Sequence, residues 1–398
     1  MSQSTMREFP SARPDPFTPP KELAEFREGP PSRIRFPDGN EYWLLSRYAD
    51  VRAVLADARF SADDTKPGFP QMLVAAEPGQ LSFTRMDNPE HNRLRTMVIS
   101  EFSVRRVATM RKWIQRIVDE LLDGMERARE KDQGPVDLVR MFAVPLPTRI
   151  ICELLGVPYS DHEFLRSRSA TVICSTDPEV AVAANVELFE YVERLAVDKK
   201  RAPSEDDLLG RLAIRANQGE LTHKELVAMG RALLVAGHET TVHSLSLGVL
   251  ALLSHPDQLR ALRADPNMLA PTVEELLRYL TITQGPMARM ALEPVEVGGV
   301  MIGAGEGVII SLLSANRDPE CVAAPDRLDV GRYQGHHFAF GFGAHQCIGA
   351  PLAKAEMEIG IDRLFSRFPD LRLACDLKDL NFRDEAPVYG IHELPVTW

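Results

Sequence analysis

Apolar positions recur three and four apart over long stretches of this chain from Tyr48 onward, the spacing of amphipathic helices. Residues 104–128, 180–197 and 208–217 carry the pattern most plainly. Two intervals follow a different rule. Residues 33–36 and 41–45 are β-prone runs on either side of Pro37-Asp38-Gly39-Asn40, a turn signature. Across residues 288–313, Val295, Val297, Val300, Ile302, Val308 and Ile310 alternate among glycines with the two-residue period of strands. The pattern predicts a mainly α protein with a small β-rich region assembled from distant segments. Residues 1–31 hold seven prolines and are expected to run extended over the surface. No internal repeat, low-complexity tract or linker-like break divides the chain.

A fourth helical run is the longest. Thr222-His223-Lys224-Glu225 fits a capping box, and the apolar pattern continues to Ser254, where His255-Pro256 stops it. At 1.5 Å per residue such a helix would span ~50 Å, the width of the whole globule. Its middle reads Ala236-Gly237-His238-Glu239-Thr240-Thr241. Gly weakens a helix by ~1 kcal/mol relative to Ala, and a buried carboxylate needs partners or a shifted pKa. The segment is either a functional site or a bend in which Thr bonds back to a carbonyl.

Composition narrows the classes. The chain has 398 residues, 44% of them hydrophobic, ample for a large core, and a size prior of roughly 100–200 residues per domain suggests two or three domains. Its net charge of −11 disfavours a nucleic-acid binder. The longest uncharged apolar stretch, residues 242–253, falls short of the ~20 needed to span a bilayer, and no signal peptide is visible. Five cysteines are too sparse, and odd in number, for a disulfide framework. A cytoplasmic enzyme without membrane attachment is expected.

Four of those cysteines, Cys152, Cys174, Cys321 and Cys375, read as core filler. Cys347 differs. It lies in Phe340-Gly341-Phe342-Gly343-Ala344-His345-Gln346-Cys347-Ile348-Gly349, just before a strong helix former with Pro351 in its first turn. Free N–H groups and the positive end of the helix dipole would favour its thiolate. A single thiolate suits a haem iron, since zinc wants several protein ligands. A cysteine nucleophile and an ordinary Gly-rich turn are the rival readings.

Phe340, Gly343, Cys347 and Gly349 fit the F-x-x-G-x-x-x-C-x-G pattern of cytochrome P-450 haem-thiolate proteins, which this chain resembles. Three further family motifs follow the family's order: His91 to Arg95 as H-x-x-x-R, Ala236 to Thr241 as A-G-x-[D/E]-T-T, and Glu275 to Arg278 as E-x-x-R. The flanking segments look like those of the soluble actinobacterial branch.

The resemblance implies a single domain over 1–398 with the cytochrome P-450 fold, a long central helix lying over one haem b. It makes Cys347 the axial ligand, with Phe340 packed beside the sulfur and Gly349 and Ala236 close to the haem. His91, Arg95, Arg289 and His345 match propionate-contacting positions; without the family each would read as a solvated surface residue. Glu275, Arg278 and Arg332 correspond to a structural charge cluster, whose loss should abolish haem incorporation. Glu239 and Thr240 match the acid–alcohol pair that delivers protons to iron-bound dioxygen. Met72 and Val74, Leu233, Ile282, Met287 and Tyr389 are candidate pocket walls, any of which could be plain core.

Implied with these are dioxygen as co-substrate and electrons from a ferredoxin and an NAD(P)H-dependent ferredoxin reductase, with Lys354 on the docking face. The substrate would be a mid-sized hydrophobic molecule: polyketide, steroid, statin-like or similar. The alternatives are a haem-thiolate nitric oxide reductase or peroxygenase, which tend to lack the acid–threonine pair, and a non-catalytic haem sensor.

Overall fold

A computed structural model describes residues 7–71, 83–175, 177–332 and 336–398. The helices begin where the chain offers caps. The Ser103 hydroxyl accepts from the Arg106 N–H and starts Val104–Asp132. Asp177, followed by Pro178 in the first turn, starts Pro178–Arg201, and Asp207 starts Leu208–Asn217. The first two run past their predicted limits because these caps and the left-handed Gln133 set the ends, whereas the apolar period stops earlier.

The β-rich part gathers strands from far apart. Its main sheet has the order Ser32–Arg35, Glu41–Leu45, Gly307–Ile310, Met287–Ala291, Phe60–Ser61. Glu41–Leu45 pairs parallel with Gly307–Ile310, which is buried along its whole length; the other pairings are antiparallel. Val295–Val297 and Val300–Ile302 form a separate hairpin. The strand pattern ends at Ile310: Leu312 and Leu313 belong to a short helix capped by Ser311.

Two other expectations are corrected. The predicted continuous central helix is two helices, His223–Ala236 and Glu239–Ser254, with the expected Thr222–Glu225 capping box at its start. At the break His238 Nδ1 donates to the Leu234 carbonyl at 2.9 Å, occupying the acceptor that its own backbone N–H would use in an unbroken helix. The proline-rich N-terminal segment runs over the surface at residues 7–16 but dips into the core beyond them. Phe17, Pro19 and Pro20 are buried, Phe17 joins the main apolar core, and Glu22–Arg27 is helical. Burying the Phe17 ring draws the segment onto the core at that point.

The main core runs from Phe17 to Val396. Within it the helix Ala350–Arg367 lies along Val104–Asp132, tied at the rim by Arg363–Asp119 (2.8 Å) and Arg367–Asp123 (2.9 Å). The helix break and the start of Ala350–Arg367 thus face one interior space, flanked by the main sheet. Among the described residues no helix is long and apolar enough to cross a membrane.

Candidate active site

That space is a cavity of about 310 Å³. Leu233, Ala236, Gly237, Thr240 and Thr241 line it from the helix break, and Ile282 and Met287 from the segment after Leu269–Leu280. Phe340, His345, Cys347 and Gly349 line it from the opposite side. Met72 and Val74 lie outside the described residues. Tyr389 does not line the cavity: its ring stacks on Phe382 at 5.9 Å, with the Arg13 guanidinium 4.0 Å above it. It is a core residue.

Cys347 sits two residues before the Gly349 cap of Ala350–Arg367, and its N–H donates to the Phe340 carbonyl at 2.8 Å. Burial pushes its thiol above the ordinary value; the N–H groups of Gly349 and Ala350 and the charge of Arg95 pull the other way but do not win. A thiol so placed loses its proton to a metal, which fits the single-thiolate donor set. Among the other cysteines Cys152 is buried, Cys375 half-buried and Cys321 exposed, so Cys321 is not core filler; the side chain of Cys174 lies outside the described residues.

An adjoining cavity of about 290 Å³ is lined by Arg85, His91, Arg95, Arg289 and His345. The rings of His91 and His345 lie 4.0 Å apart. Neither nitrogen of His91 nor Nδ1 of His345 has a well-formed hydrogen bond among the described residues. Burial, with Arg289 and His91 close by, pushes His345 down to about 3, and burial beside Arg85 lowers Arg289 to about 10. Arginines gathered in this way disfavour one another's charge and keep the neighbouring imidazoles neutral, and an anion among them would relieve both. The carboxylates of a haem are anions of the right number and kind, next to the thiol that would hold the iron. The residues present fit that group. Arg85 was not expected: it belongs to no motif, and only its place beside Arg289 marks it.

Glu275, Arg278 and Arg332 come together as expected. Arg278 donates twice to Glu275, at 2.8 and 2.9 Å, Arg332 Nε donates to it at 3.2 Å, and the Asp329 N–H completes the set at 3.0 Å. Arg278 also holds the carbonyls of Asn316 and Pro325. The network fixes the loop leading into the Cys347 segment. Lys354 pairs with Glu274 on that side.

Thr240 lines the cavity, its hydroxyl donating to the Ala236 carbonyl at 3.3 Å. Glu239 does not line it; the carboxylate turns back to His243 Nε2 and Arg383 Nη1, each 3.2 Å from Oε1. Burial alone would raise Glu239. The hydrogen bond from His243 and the charges of His243, His238 and Arg383 outweigh it and hold the acid at about 2. One carboxyl was missed altogether: Glu356, on the helix after Cys347, lines the cavity and is pushed well above the usual range by burial.

Comparison with known proteins agrees with this geometry. A model of the cytochrome P450 family matches residues 165–385. The chain is 46% identical to cytochrome P450-SU2 of Streptomyces griseolus, over 96% of this chain and 94% of the relative. It is 41% identical to vitamin D3 dihydroxylase of the same organism, covering 98% and 96%. The crystal structure of mycinamicin VIII C21 methyl hydroxylase from Micromonospora griseorubida, bound to mycinamicin VIII, superimposes with a TM-score of 0.92 at 41% identity, covering 99% and 100%.

Proposed function

This chain belongs to the cytochrome P450 family of haem-thiolate monooxygenases, and on that premise we propose that it hydroxylates a mid-sized hydrophobic molecule in the cytoplasm. The reaction takes a substrate C–H, dioxygen, two electrons and two protons to an alcohol and water. Electrons come one at a time from a ferredoxin served by an NAD(P)H-dependent reductase. Bound as one haem b per chain, the cofactor supplies the dioxygen activation that no side chain can.

Cys347 would hold the iron, with the Gly349 and Ala350 N–H groups tempering the sulfur's basicity. His91, Arg95, Arg289 and His345, with Arg85, would hold the propionates. Opposite them, the Thr240 hydroxyl keeps a proton at the cavity wall and passes it inward, while Glu239 behind it resupplies that proton. The walls around Leu233, Ile282 and Met287 exclude water and set orientation by shape. A largely apolar wall supports a polyketide, steroid or statin-like substrate, and relatives named for vitamin D3 and mycinamicin VIII act in that range.

The observation that carries this reading is Cys347 beside a cavity lined by arginines and histidines, with Thr240 across from it. Screening macrolides, steroids and statin precursors for a change of haem spin state, then analysing products with surrogate redox partners, tests it. At least one class is expected to shift the Soret band and be hydroxylated. Thr240→Ala is expected to release several-fold more hydrogen peroxide per NADPH. Unchanged coupling in that variant would remove Thr240 from the proton path.

A further inference from the structure

Glu239 is set up to receive a proton but not to keep one. Buried at 4% exposure, with His243 and Arg383 among its partners, it is held as a carboxylate. To deliver a proton towards Thr240 it must first be given one. Of His243 and Arg383, Arg383 does not surrender a proton in a protein. The other is His243, one helical turn on and fully buried, and histidine exchanges protons near neutrality.

The surroundings of His243 are built for an imidazole. Gly390, on the C-terminal segment, lies so close that a Cβ there would meet Nδ1 at 2.1 Å. Nδ1 has no hydrogen-bond partner among the described residues, while Nε2 is committed to Glu239. The charged groups around the pair come from three directions. His238 lies at the helix break, with its Nδ1 on the Leu234 carbonyl. Arg166, on the helix His162–Cys174 and paired with Glu163, acts on both Glu239 and His238. Arg383, His392 and Glu393 stand on the C-terminal segment, and exposed His392 is within electrostatic reach of His243.

We propose that His243 is the positioning residue that loads Glu239 with its proton. The imidazolium Nε2–H passes its proton to Oε1, leaving a neutral imidazole and a carboxylic acid. The acid, released from its charge pairing, turns towards Thr240, gives up the proton there and returns as the carboxylate. The imidazole is reloaded from the side of His392. This role rests on the oxygen-activating reading above.

The test has a readout that does not depend on turnover. Holoenzyme with 15N-labelled histidine, held as its diamagnetic ferrous carbonyl complex, is recorded by NMR. The His243 Nε2–H is expected to give a downfield, exchange-protected proton coupled to its nitrogen, and to lose that position in E239Q, where the carboxylate acceptor is gone. Absence of that proton in the unaltered protein overturns the proposal, and this measurement decides alone if His243 variants fail to take up haem.

Turnover supplies the second arm, as NADPH oxidation through a surrogate ferredoxin pair with 7-ethoxycoumarin added. The unaltered enzyme is expected to slow as pH rises, because less imidazolium is present to donate. H243Q, which keeps a donor to Glu239 but has no proton to transfer, is expected to be about tenfold slower at the acid end and flat with pH. An H243Q profile that follows the unaltered enzyme overturns the role. If T240A then still raises peroxide release, only the loading role has failed; if it too has no effect, the oxygen-activating reading falls with it.

Discussion

Glu356 follows none of the patterns that mark its neighbours. It is 1% exposed, lies two turns into the helix that Gly349 caps, and its Oε2 has no partner among the described residues. Burial raises its pKa well above 4.5, so the folded protein keeps a proton that the unfolded chain loses above that pH. Where the native state binds more protons, stability falls as pH rises. Gln imitates the protonated acid without that dependence. Glu356→Gln is expected to melt higher than the unaltered protein at neutral pH, with a gap that widens from pH 5 to pH 8 in thermal scans. A constant gap would mean that Glu356 does not hold its proton. The groups around Arg289 show the converse: burial disfavours the charge of Arg289 and of His345, and a dianionic guest would favour it.

Among the elements, the interrupted helix matters most to the site. A continuous helix from Thr222 to Ser254 would carry its backbone straight past the cavity. The break instead turns Ala236, Gly237 and Thr240 to the cavity and sends Glu239 away from it. At Gly237 the helix Pro145–Leu155 packs close: a Cβ there would sit 2.6 Å from both Ile151 Cγ1 and the Leu233 carbonyl. Gly237→Ala is therefore expected to lower stability by about 1–3 kcal/mol, as overpacking does. Urea unfolding followed by circular dichroism measures it, and an unshifted midpoint would show that Ile151 yields freely.

For the molecule as a whole, the N-terminal segment acts as a clasp. Phe17 packs edge-on to His255 at 5.6 Å and stacks with Tyr279 at 6.2 Å, and its carbonyl accepts from Arg317 Nη2 at 2.9 Å. Arg317 in turn holds the Tyr279 carbonyl, at the end of the helix that carries Glu275 and Arg278. Contacts between the start of the chain and the proximal charge cluster are thus only a few residues long. Phe17→Ala is expected to cost about 3–5 kcal/mol, the usual range for losing a buried Phe. Its unfolding by circular dichroism and by the haem Soret band should stay coincident; a separated early transition would show the segment to be an independent appendage.

Local order determined much of this in advance. Caps and periods set the long helices, Cys347 stood before a helix start because Pro351 and the residues after it admit little else, and Glu275 and Arg278 were one turn apart by spacing alone. Tertiary structure decided what depends on groups distant in the chain. The break at His238 arises because a side chain can take a backbone acceptor once neighbouring helices press on it. The turn of Glu239 towards Arg383, the burial of Phe17, and the meeting of Arg85 with Arg289 are each contacts between segments far apart in sequence. No period or cap encodes them, because charge balance and burial are properties of a completed environment and not of neighbours along the chain.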